Sequence, residues 1–210
     1  MSFPRAAAIF VLVILHASCG PRGVPPPGSA APVRTDTEAP QADTAPTRAQ
    51  GDADVRFVHG MIAHHAQAIV MADMVPTRAQ SEQIRLLARR IDVSQKDEIL
   101  MMRRWLERRG TPVPDSAAGH AQHVMAPGML TAAELRRLGE AAGGAFDRLF
   151  LELMIRHHEG ALTMVAELFA AGGGRDPELF QIASHIDADQ RAEIARMNRL
   201  LTSMDERGAS

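Results

Sequence analysis

The residues with the most chemistry to offer lie in two matching segments. Phe57-Val58-His59-Gly60-Met61-Ile62-Ala63-His64-His65 corresponds to Phe150-Leu151-Glu152-Leu153-Met154-Ile155-Arg156-His157-His158, so a Met-Ile-x-His-His pattern occurs twice. In each copy the methionine stands three and four residues before the histidines, which on a helix puts a thioether and two imidazoles on neighbouring turns. Thioether sulfur suits Cu(I), and imidazole binds copper in either oxidation state as well as zinc or nickel. Together they point to copper over calcium or magnesium, which take oxygen ligands.

The same residues also fit a structural role. Methionine fills irregular gaps in cores, and a buried histidine can complete hydrogen bonds. Ile84, Ile91, Gln95, Glu98, Met102 and Trp105 recur near helical period, as do Ile182, Ile186, Gln190, Glu193, Met197 and Leu200. Gln95, Glu98, Gln190 and Glu193 would then be polar partners of the imidazoles, whether as core hydrogen bonds or as a shell behind metal ligands. An unpaired buried polar group costs roughly 1 to 3 kcal/mol, so either pairing is favourable.

The elements that must position these groups are helical. Phe57, Met61, His64, Ala68, Met71 and Val75 form one stripe, and Phe150, Met154, His157, Ala161, Met164 and Leu168 repeat it. Asp54 matches Asp147. A second pair of segments matches in the same order, with Ala88, Ile91, Asp92, Gln95, Glu98, Ile99 and Met102 answering Ala183, Ile186, Asp187, Gln190, Glu193, Ile194 and Met197. This predicts a duplicated helical hairpin whose copies bury their apolar faces against each other as a four-helix bundle.

The punctuation agrees. The first helix should end near Val75-Pro76, and Thr77 or Ser81 should cap the second, which should stop at Gly110. Thr131-Ala132-Ala133-Glu134 reads as a capping box opening a short connector helix that ends around Gly143-Gly144. The third long helix should end at Gly172-Gly173-Gly174, with Asp176-Pro177 opening the fourth. The expected limits are 51–204 for the bundle, divided into 51–109, a connector 110–145, and 146–204. Within the connector His120, His123, Met125 and Met129 are further soft ligands for a secondary site. His59, replaced by Glu152 in the second copy, is another such candidate, whereas His185, replaced by Arg90, is expected at the surface.

Residues 1–19 read as an export signal. Arg5 precedes the unbroken apolar run Ala6 to Leu15, too short for a mature membrane helix. Leu15-His16-Ala17-Ser18-Cys19 is similar to a bacterial lipoprotein processing site, with His16 as a departure. Acylation of Cys19 would leave a periplasmic or outer-surface lipoprotein; ordinary cleavage near Ala17 would release a soluble periplasmic one. Residues 20–50, rich in Pro, Ala and Thr, read as a disordered tether. Cys19 is the one cysteine, so no internal disulfide is possible, and the formal charge of −2 gives no reason to expect nucleic acid.

The doubled motif, the Gln-x-x-Glu-Ile pieces at Gln95 and Gln190, and the connector Met125 to Leu130 resemble the bacterial domain-of-unknown-function family 305. The resemblance implies a ferritin-like four-helix fold, export, and in some members copper binding or copper tolerance. Carried onto this chain, the implied metal ligands are Met61, His64, His65, Met71, Met154, His157, His158 and Met164. Two departures stand out. The glycine in the family's His-His-x-Gly is present as Gly160 but is Gln67 in the first copy, and Met74 has Glu167 as its counterpart, so the first helix should pack differently from the third.

Three functions follow as expectations: a non-enzymatic protein that sequesters or hands on copper, with zinc or iron as other possible ions; a structural or partner-binding bundle; and a di-iron oxidase. The last is weakest, because such sites use Glu-x-x-His on two helices and that pattern does not occur here.

Overall fold

The computed structural model describes residues 48–114 and 126–208, with side chains from Gly51 to Arg207. The signal, residues 20–47 of the expected tether, Cys19, His120, His123 and Met125 lie outside the described residues, whereas residues 48–50, expected to be disordered, already belong to the first helix. Six helices follow in order: α1 Arg48–Asp73, α2 Val75–Arg78, α3 Glu82–Arg108, α4 Ala132–Glu140, α5 Gly143–Ala170 and α6 Pro177–Gly208. The single turn α2 accommodates Pro76 in its first positions, where its missing N–H costs nothing. No described helix is long and apolar enough to cross a membrane.

The four long helices form the expected all-α bundle. α1 packs on α3 and α5, and α6 packs on α5 and α3, so each buries an apolar stripe against two neighbours. The core divides into two apolar clusters, each drawing on all four. One holds Met71, Leu87, Ile91, Phe150, Met154 and Met197; the other holds Phe57, Met61, Met102, Met164, Leu168 and Ile186. Between them, at mid-height, lie buried His64, His65, Gln95, Glu98, His157, His158 and Gln190. The bundle thus carries a polar belt between two apolar halves.

Helix ends follow the sequence in part. The Thr131/Glu134 capping box forms, and Asp176 accepts from the Leu179 amide at 2.9 Å. Neither expected side-chain cap forms at α3: the Thr77 hydroxyl donates to the Met74 carbonyl, and Ser81 makes no side-chain cap. The Asp147 carboxylate on α5 instead ties the loop before α3, accepting from the Gln80 and Ser81 amides at 3.1 and 2.8 Å. Its counterpart Asp54 on α1 accepts from the Gly174 amide at 2.7 Å, where φ of +69° suits glycine. Each hairpin loop is therefore braced by an aspartate from the other hairpin. α5 begins at Gly143, before the expected limit, because Ala141 and Ala142 are extended and break the chain from α4.

Candidate metal centre

The two histidine pairs face each other across the α1–α5 contact. The rings of His64 and His157 are 3.8 Å apart between centroids and tilted by 37°. Within each pair the rings are 6.3 Å apart for His64 and His65 and 6.2 Å apart for His157 and His158. All four residues are at most 1% exposed.

Hydrogen bonds orient three of the four rings. His65 Nε2 lies 2.6 Å from Glu98 Oε2, and His158 Nε2 lies 2.6 Å from Glu193 Oε2, so α3 and α6 hold the second member of each pair in the same way. His64 Nε2–H donates to the Pro127 carbonyl at 3.0 Å, which leaves its Nδ1 as a bare lone pair. Among the described residues five ring nitrogens of the two pairs have no hydrogen-bond partner: Nδ1 of His64, His65 and His158, and both nitrogens of His157. Gln95 Oε1 and Gln190 Nε2 in the same belt are also without one.

Burial governs the charge state. It lowers the pKa of His64 to about 3, helped by the neighbouring His65 and opposed by the Pro127 carbonyl. It lowers His65 to about 3 as well, with His158 adding to the effect. His157 is held well below its ordinary value by burial and then by His64, while the His64 backbone carbonyl pulls the other way. Glu98 is pushed up to about 8, first by burial and then by the carboxylate of Asp189. His64, His65 and His157 are therefore neutral at neutral pH, the form in which an imidazole binds a metal ion.

The methionines flank this site along both helices. Met61 and Met164 belong to the apolar cluster on one side of the belt, and Met71 and Met154 to the cluster on the other; all four are buried. Other sequence candidates lie elsewhere. His59 Nε2–H donates to the Pro112 carbonyl at 3.0 Å, beyond the end of α3. Met129 is half-buried and lines a surface hollow with Thr131, Glu134 and Arg156. Neither joins the imidazoles.

The connector covers the site, through contacts the sequence signalled only as a mismatch between copies. At Gly160 it crosses α5 so closely that an added Cβ would lie 1.9 Å from the Pro127 oxygen and 2.7 Å from Gly128 Cα. On α1 the equivalent Gln67 is buried and clamps the same connector, donating to the Leu130 carbonyl at 3.0 Å and accepting from the Leu130 amide at 2.7 Å. The two helices thus differ at this position because they hold opposite sides of one strap.

Gly160→Ala should lift that strap and destabilise the fold by about 1 to 3 kcal/mol, seen as a lower urea midpoint with faster amide exchange at 126–130. Gly139→Ala in α4, where only the flexible Met74 sulfur lies within 3.9 Å, should stabilise by roughly 0.4 to 1 kcal/mol. Equal effects from both substitutions would show that the close approach at Gly160 is unimportant.

An all-α four-helix bundle with a buried histidine belt is the class that fold and site define. The chain belongs to the DUF305 family, a domain of unknown function that matches residues 54–201. A DUF305 fragment from Deinococcus radiodurans is 36% identical, covering 72% of this chain and 96% of its own at a TM-score of 0.62. A DUF305 protein from Streptomyces coelicolor is 30% identical, covering 72% and 93% at 0.63. CopM in its Cu(II)-bound form is 32% identical, covering 72% and 97% at 0.61, and structures of its Cu(I)-bound form also match. No curated protein matches the chain.

Proposed function

We propose that the chain is an exported, non-enzymatic metal-binding protein that sequesters or hands on copper. The observation that carries this reading is the meeting of four buried imidazoles, five of whose ring nitrogens have no partner among the described residues. Leaving one buried polar group unpaired costs roughly 1 to 3 kcal/mol, so a cluster of them calls for something to bind. His64, His65, His157 and His158 would supply nitrogen, and Met61, Met71, Met154 and Met164 would supply sulfur, a donor set that favours Cu(I). Glu98 and Glu193 would orient His65 and His158 from behind, as carboxylates do for metal-bound histidines. A cation in the belt would also favour the ionised form of Glu98. The similarity to CopM, which has copper-bound and silver-bound structures, supports the same chemistry.

Export rests on the apolar run Ala6 to Leu15 and the small residues before Cys19. If Cys19 is acylated, residues 20–47 tether the bundle to a membrane surface; if not, the chain is soluble in the periplasm.

The two His–Glu pairs at 2.6 Å favour a second reading, a structural belt that fixes helix register. The readings separate on titrating the metal-free chain with Cu(I) against a competing chelator. Copper binding predicts a rise in stability of about 4 kcal/mol at a free ion concentration a thousandfold above Kd. A melting temperature that Cu(I) leaves unchanged would leave only the structural reading.

A further inference from the structure

Behind the histidine belt, Glu98 faces a second group of ligand atoms that the interior reading does not use. One ligand atom from each of Glu98, His185 and Asp189 lies within 4.8 Å of the others. His185 and Asp189 are one turn apart on α6, with Nε2 and Oδ2 3.4 Å apart, and their side chains are 54% and 39% exposed. Glu98 reaches the group from α3 and is itself 1% exposed. Its Oε2 is taken by His65, and its Oε1 has no hydrogen-bond partner. A buried carboxyl group with an unpartnered oxygen, grouped with an imidazole and a second carboxylate, is an arrangement that a bound cation would satisfy while drawing Glu98 into its ionised form.

We propose that Glu98, His185 and Asp189 form a second metal site, distinct from the thioether-flanked interior, that takes a borderline divalent cation of the Zn(II) or Cu(II) kind at the bundle surface. The donors decide the class. One imidazole nitrogen and two carboxylate oxygens with no sulfur suit such a cation better than Cu(I), and three protein ligands leave positions for water. Glu98 serves both sites, bonding His65 through Oε2 and offering a carboxylate oxygen to this group.

The matching half of the chain supplies an internal control. Glu193 holds His158 as Glu98 holds His65, but Arg90 and Ser94 stand where the equivalents of His185 and Asp189 would be. A guanidinium is always charged and a hydroxyl is a poor ligand, so that half cannot form the site. This also explains why the residue expected at the surface is histidine in only one copy.

The test uses the full chain, Zn(II) as probe, and a background of His64→Leu/His157→Leu that removes the two facing imidazoles of the interior. Adding His185→Arg/Asp189→Ser, the pair already present in the other half, should remove one Zn(II) equivalent or weaken it by at least about tenfold, the scale on which loss of even an outer-shell partner acts. Unaltered Zn(II) binding after the surface substitutions would overturn the proposal, as would a background chain that binds no Zn(II). Neither result depends on whether the interior holds copper, which the His64→Leu/His157→Leu chain reports separately through Cu(I).

Discussion

Substituting His64→Leu and His157→Leu together should lower Cu(I) affinity at least about a hundredfold while leaving the metal-free protein as stable as before, or more so. The two effects have opposite signs for one reason. These side chains bring three ring nitrogens without hydrogen-bond partners into the core, His64 Nδ1 and both nitrogens of His157, against one bond, from His64 to the Pro127 carbonyl. Removing unsatisfied buried polar atoms in favour of hydrocarbon of similar shape is neutral or stabilising, and each such atom costs roughly 1 to 3 kcal/mol when left unpaired. Loss of a partner behind a ligand already weakens metal binding by about 10- to 100-fold, so losing two facing ligands should exceed that range. Competition titration with Cu(I) and urea denaturation of the metal-free variant measure the two quantities. A variant that unfolds several kcal/mol more easily, with copper affinity intact, would mean that the rings serve packing alone. His65 and His158 would not separate the readings as well, since replacing either also strands Glu98 or Glu193.

The doubled Met-Ile-x-His-His segments and the helical spacing of Gln95, Glu98, Gln190 and Glu193 made the bundle and its polar belt legible in the sequence. Period and order are local properties, and a helix converts them directly into a shared face. What stayed hidden depended on contacts between distant segments. The match of Asp54 with Asp147 was visible, but nothing local says that each aspartate reaches the loop of the other hairpin, so Thr77 and Ser81 looked like the better caps. The Gln67/Gly160 mismatch was visible too, yet its meaning needs the connector, which one helix admits by lacking a side chain and the other grips with an amide. His185 lies at the surface as expected, and what the sequence could not give is its proximity to Glu98, on another helix 87 positions earlier.

Acidification should destabilise the metal-free protein from about pH 6.5 downward, and the belt is the cause. His64 and His65 have folded pKa values of about 3 against 6.5 when free. In the window between those values the unfolded chain binds a proton at each site and the folded chain does not. Each ring then removes about 1.4 kcal/mol of stability per pH unit, roughly 3 kcal/mol for the two, and His157 acts in the same direction. Glu98 opposes them. Its folded pKa of about 8 lies above the ordinary 4.5, so the stability linked to its proton is complete below pH 4.5 and is lost as pH rises through 8. Between pH 8 and 6.5 the carboxyl therefore strengthens the fold on acidification, and below 6.5 the imidazoles outweigh it. Below 4.5 they act alone, steeply enough to use up a typical domain stability of about 5 to 15 kcal/mol within a few pH units. Urea midpoints measured from pH 8 to pH 4 should pass through a maximum near 6.5 and then fall. The His64→Leu/His157→Leu chain should show a much shallower fall, because His65 alone among the three depressed groups remains to oppose Glu98. Equal midpoints for the native chain at pH 7 and pH 5 would mean that the imidazoles are not held neutral in the folded state.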